Sequence, residues 1–290
     1  MANLKEVRNR IASVNSTQQI TKAMKMVSAA KLKRATDAVV QMRPFANKLN
    51  EVLRNVSAGL NTSENAFAQV REVNKVLLVA VTSDKGLCGG FNSNITKQVQ
   101  HLISNVYAGK EITVMSIGKK AKDFVRRNNI NCNDDFAELF FNLTYDNATD
   151  AALFAMNGFL NEQYDKVVLV YNEFKNVATQ VVHADQFLPI EAKEESLENT
   201  SNVDYIYEPS KVFILDQLIP KSLKTQFYTA LLDSNASEHG ARMTAMDKAT
   251  ENAGELLKEL KLVYNRTRQA AITTEILEIV GGAEALAASK

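Results

Sequence analysis

Residues 269–288, QAAITTEILEIVGGAEALAA, close a stretch from Met243 to Lys290 that holds no proline. An apolar or small residue recurs along it at alternating steps of three and four. The series is Met246, Ala249, Ala253, Leu256, Leu260, Val263, Thr267, Ala270, Thr274, Leu277 and Gly281. A period of 3.5 is the pattern of a long helix lying along a partner helix. Residues 269–288 carry only Glu275, Glu278 and Glu284 as charges. A helix end with so little solvating charge is expected to be inserted into something.

The partner is at the other end of the chain. Steps of three and four from Leu4 give Val7, Ile11 and Val14, then Gln18, Thr21, Lys25 and Ser28, then Leu32, Ala35, Val39, Met42, Ala46, Leu49, Leu53 and Val56. The first four and last eight positions are apolar, and the middle four are not. There Ile20, Met24 and Val27 lie beside the seam, so the coil is expected to unwind locally or to face a different partner. Pro44 is expected to kink or divide this helix, because it has no N–H for the carbonyl four residues earlier. Unbroken, residues 3–57 would span about 80 Å, too long for a core of this size to bury.

Between the two helices the period changes. Lys75–Thr82 (KVLLVAVT) is a short β-branched run, as expected of a strand buried on both faces. A helix is expected over 93–107, a strand over 112–117, a helix over 119–127 and another over 146–164. Strands follow at 166–171 and 178–184, the last two joined as a hairpin through Asn176. Strands alternating with helices imply a mostly parallel sheet with helices on its faces. Residues 191–204 read as an acidic loop and Tyr205–Tyr207 as an edge strand. A short helix, 210–218, is expected to end at Pro220. The expected domains are 1–57 and 210–290, the coiled-coil helices, and 73–208, the α/β domain. Paired antiparallel with domain-side ends aligned, the C-terminal helix (221–287) would overrun its partner by roughly 18 Å.

Charge is nearly balanced at +1 over 290 residues, but unevenly distributed. Residues 1–34 carry eight Lys or Arg against Glu6 alone. A positive stripe on a projecting helix suits an acidic surface. No base-reading module accompanies it, so no nucleic-acid partner is expected. Cys88 and Cys132 give no disulfide framework. His101, His183 and His239 lie in separate elements without ligand spacing, so no metal site is expected. The loop Ser83–Gly90 (SDKGLCGG) follows a strand and precedes a helix, the setting of a phosphate cradle. Its glycines are spaced GxxGG and Gly90 is followed by Phe91-Asn92, which fits no such motif. A tight turn is the better reading, with no cofactor and no catalytic residue.

Three stretches together resemble the γ subunit family of F-type ATP synthase. They are Ile11–Val14 with Thr17–Lys31 (TQQITKAMKMVSAAK), Ser83–Asn92 (SDKGLCGGFN) and Ile272–Ala283 (ITTEILEIVGGA). Ser237–Met243 and Leu262–Asn265 also fit, and the likeness covers the whole chain in the family's order. The resemblance implies an antiparallel coiled coil flanking a Rossmann-like α/β foot. It implies three α and three β subunits around the coil, and an ε subunit and a membrane ring of c subunits at the foot. By the same resemblance the chain is a non-catalytic rotor coupling proton flow to ATP synthesis, with no direct nucleotide binding. Met24, Lys25, Arg268, Gln269, Thr273 and Glu275 become candidate contacts to the α/β hexamer. No inserted regulatory cysteine pair is visible and no transit peptide precedes the first helix. The implied location is the cytoplasmic face of a bacterial inner membrane, peripherally bound. Two readings compete: a nucleotide-binding α/β protein with coiled-coil extensions, and a coiled-coil scaffold or nucleic-acid clamp.

Overall fold

The computed structural model describes residues 4–57, 66–177, 179–190 and 211–288. The chain falls into two compact units, one made of residues 1–27 with 243–290, the other of residues 28–242. The expected acidic loop and the Tyr205–Tyr207 strand lie outside the described residues.

The second unit holds a five-stranded sheet in the order β3-β2-β1-β4-β5. Its strands are β1 (Lys75–Val81), β2 (Glu111–Ile117), β3 (Asn131–Asn133), β4 (Lys166–Phe174) and β5 (Gln180–Leu188). The first four run parallel and β5 is antiparallel to β4. The central strand β1 is buried everywhere but at Lys75, which is why it reads as a continuous apolar run and not as an alternation. Alternate side chains still sort to opposite faces. Val76, Leu78 and Ala80 pack with Ile95 and Val99 of α2 (Phe91–His101) and Ala121 and Val125 of α3 (Lys119–Arg127). Leu77, Val79 and Val81 join a cluster with Ala151, Ala155 and Phe159 of α4 (Tyr145–Leu160). The same cluster takes Leu223, Phe227 and Leu231 of α5 (Lys211–Ala288). Two helices therefore cover one face, and α4 with α5 the other.

Several sequence expectations change. Helix α1 (Leu4–Ser57) runs through Pro44 undivided. Both Pro44 and Val40 are exposed, so water can meet the carbonyl that the proline leaves without a donor. Pro220 likewise lies inside α5, which begins at Lys211 and absorbs the separate short helix expected at 210–218. Ile219 and Leu223, on either side of it, are buried in the core, and their packing holds the helix across the lost bond. The helix after β1 ends in a π-helical turn, Leu102–Val106. The edge strand β3 is too short and polar to have been read from alternation. In the hairpin, Thr179 N donates to the Asn176 side chain at 2.7 Å.

That hairpin gathers titratable groups. His183 Nε2 lies 2.9 Å from Glu173, and Tyr171 donates to Asp185 at 3.0 Å. Asp233 of α5 is 4.0 Å from Arg43 of α1. Burial, and to a smaller degree Glu173, raise its pKa to about 6 against the opposing pull of Arg43 and His183. Among the described residues no group of His, Cys, Asp and Glu is placed to hold a metal ion.

Candidate functional site

The first unit is the coil end. The polar seam positions of α1 in this unit, Gln18, Thr21 and Lys25, do not interrupt the pairing, because all three are partly or fully buried. Gln18 Nε2 donates to the Thr250 carbonyl at 3.4 Å, and Thr250 Oγ1 to Thr21 Oγ1 at 2.9 Å. Lys25 Nζ meets Asp247 at 2.5 Å. Polar partners thus continue the seam where apolar ones stop. The expected local unwinding does not occur there, and Ile20, Met26 and Val27 are left outside, each more than half exposed. Met24 is partly buried.

On α5 the buried line runs through Met246, Ala253, Leu257 and Leu260. Every second seam position is therefore shifted by one from the expected series, with Leu257 preferred to Leu256 and Val263 45% exposed. Leucines at both 256 and 257 make the pattern degenerate in sequence. The Thr21–Thr250 bond is one contact that favours the observed rotation.

Pairing stops at Thr267. From Arg268 to Ala283 every residue is exposed, including Ile272, Ile276, Leu277, Ile279 and Val280. Helix α5 is 24 residues longer than α1, 78 against 54. The part of α5 beyond Thr267 amounts to about 30 Å of helix, more than the 18 Å expected. The candidates Arg268, Gln269, Thr273 and Glu275 all stand on this unpaired length. Thr273 Oγ1 donates to the Gln269 carbonyl at 2.9 Å, so that hydroxyl can only accept from a partner. Lys25 is a coil contact as well as a surface charge. Lys5, Arg8, Arg10 and Lys22 remain on the exposed face of α1 within this unit.

The glycine loop belongs to the second unit, at the β1 end where strand order reverses and nucleotides bind in many open α/β sheets. Here its carbonyls are turned to a cation. Arg242 Nη2 of α5 donates to the Lys85 and Gly86 carbonyls at 2.8 and 3.3 Å, while its Nη1 bonds Glu238. Ser83 N is taken by Asn92 Oδ1 at 3.0 Å. Cys88 and Phe91 pack on Ala241. Gly89 turns with φ +59°, a conformation that favours glycine. The loop therefore clamps α5 and offers carbonyl oxygens, where a phosphate would need N–H groups.

A family model described as ATP synthase matches residues 3–286. The chain is 57% identical over 293 residues to the ATP synthase gamma chain of Cytophaga hutchinsonii, covering 99% of each. The chain belongs to the ATP synthase gamma chain family. It is also 49% identical to the gamma chain of Chlorobium phaeobacteroides, again over 99% of each. Among solved structures, a chain of the Tetrahymena thermophila mitochondrial ATP synthase central stalk and c-ring is similar at TM-score 0.56. It is 28% identical, over 79% of this chain and 99% of that one. A chain of the Euglena gracilis enzyme shares the fold at TM-score 0.67 and 20% identity, over 99% and 95%. The antiparallel coil and mixed sheet are thus the gamma-chain fold, that of the central stalk. Sequence reasoning missed the partners that make its polar layer, Asp247 and Thr250, and the clamp residues Glu238 and Arg242. Asp247 and Thr250 lie one residue beyond Met246 and Ala249, and this offset was their only signal.

Proposed function

We propose that the chain is the rotating shaft of an F-type ATP synthase and itself makes and breaks no bonds. Residues 1–57 and 210–290 supply the coil and 73–208 the foot, on whose sheet Leu223, Phe227 and Leu231 also pack. The foot meets an ε subunit and the membrane ring of c subunits, and the coil stands within three α and three β subunits. One observation carries this reading: α5 runs on for about 30 Å beyond Thr267, where its pairing ends, with Ile272, Ile276, Leu277, Ile279 and Val280 exposed along it. An exposed apolar stripe of this length marks a surface that packs against protein or lipid. No described helix is long and apolar enough to cross a membrane, which favours surrounding protein.

Arg268 and Gln269 stand where pairing ends, so they meet the collar first. Thr273 follows about one turn on and Glu275 nearly two. Met24, with the exposed Ile20, Met26 and Val27, forms an apolar contact on α1. Lys22 beside it suits an acidic loop of the hexamer. A shaft can bias its neighbours only through contacts that differ between their states, which an asymmetric coil provides at each angle. The chain is peripheral to the membrane, on the cytoplasmic face of a bacterial inner membrane. The test is Arg268→Leu with Gln269→Leu in the reconstituted complex. ATP turnover should fall several-fold while the free chain keeps its helix content, leucine being a good helix former. Unchanged turnover in a correctly assembled complex would remove these residues from the contact.

A further inference from the structure

Within the second unit, an open cavity of about 290 Å3 lies between α1, the 3-10 turn Leu139–Asn142 and α5. Phe140 and Leu232 give it an apolar wall. Lys31 and Arg34, both exposed, stand at it from α1. No acidic side chain lines it. Glu238, whose charge Lys31 senses, is already bonded to Arg242. Asn235 and His239 complete the polar lining from α5. His239 Nδ1 is buried without a hydrogen-bond partner among the described residues. Burial first, then Arg242 and Lys31, pull the imidazole pKa down to about 4. The ring is therefore neutral near pH 7 and already sits in a positive field.

We propose that this cavity binds a small organic anion with one apolar arm, an aryl or alkyl phosphate or carboxylate. Lys31 and Arg34 take the anionic head, Asn235 and His239 donate to it, and the arm lies on Phe140 and Leu232. The volume is at the lower end of small-molecule sites, enough for about a dozen non-hydrogen atoms. A bare inorganic ion would leave the apolar wall wet. A wholly apolar ligand would cover two cations without neutralising them. Because the lining comes from α1, α5 and the turn between them, an occupant braces the two helices, and binding stabilises the folded chain by mass action.

The probe is phenyl phosphate, titrated calorimetrically into the full-length chain with inorganic phosphate as the control. Proton NMR follows the three histidines in parallel, His239 being assigned from His239→Gln. Saturable binding is expected, at least tenfold tighter for phenyl phosphate than for phosphate. It should weaken at least tenfold in Lys31→Gln with Arg34→Gln. Both side chains are exposed, so the variant should melt as the parent does without ligand. The His239 signal should move on binding and that of His101 should not. Equal affinity for the two anions would reduce the site to a charged surface and overturn the proposal. So would an unweakened variant, or a His239 signal that stays in place at saturation.

Discussion

Lys25 reaches Asp247 at 2.5 Å across the coil, with the two side chains 39% and 45% exposed. A pair this open to solvent contributes about 0.5 to 1 kcal/mol. Lys25→Glu should lower coil stability by that order, because it sets like charges face to face. Adding Asp247→Lys should restore the loss. Thermal melts of the four chains check it; a single variant as stable as the parent would show the pair contributes nothing. Lys22, exposed and one turn back, is the cation to reverse when the contact with neighbouring subunits is the question. Asp233 gives a pH dependence. Its folded pKa, about 6, lies above the ordinary carboxylate value. Its contribution is therefore favourable below about pH 4 and is lost as pH rises through 6. Asp233→Asn should raise the melting temperature by a few degrees at pH 8. The gain should shrink towards zero at pH 4.5, where the native side chain is neutral too. A gain independent of pH would assign the effect to packing.

At the scale of elements, the polar layer Gln18, Thr21, Lys25 decides the register of α1 on α5 within the coil unit. Such layers trade stability for a single register. Thr21→Val with Thr250→Val should leave the coil as stable as the parent or more so, by up to about 1 kcal/mol. Either single change should cost about 0.5 to 1 kcal/mol by leaving a hydroxyl with fewer partners. Chemical denaturation compares the four. If the double variant is the least stable, the layer acts by more than the exchange of one bond. The same layer marks how far periodicity reads. Every described α1 seam position from Leu4 to Leu53 is at least partly buried, the polar middle included, because Asp247 and Thr250 supply polar partners there. On α5 the pattern was ambiguous at 249/250, 256/257 and 263/264, since adjacent residues could both serve. Strand positions in the sheet were legible because β-branched runs are short and bounded. The polar β3 and the helical continuity through Pro44 and Pro220 were not, since packing and water decide them after the fold has formed. Candidate contacts to other subunits rest on motif resemblance alone. Nothing in spacing separates Arg268 from Arg266.

For the whole molecule, the proposed shaft works through geometry and contact. The glycine loop holds α5 through Arg242, His183 is bonded to Glu173, and among the described residues Ile272, Ile276, Leu277, Ile279 and Val280 stand exposed in succession along the end of α5. The central claim is that this chain turns inside an α/β hexamer while other subunits hydrolyse or make ATP. Phe141 is 92% exposed on the foot and can carry a probe as Phe141→Cys, with Cys132→Ser removing the half-buried thiol. The decisive measurement attaches a bead there, fixes a reconstituted hexamer to a surface and supplies ATP. The bead should rotate in one direction with three dwells per turn, one for each β subunit. Steady ATP turnover beneath a bead that does not rotate would contradict the shaft.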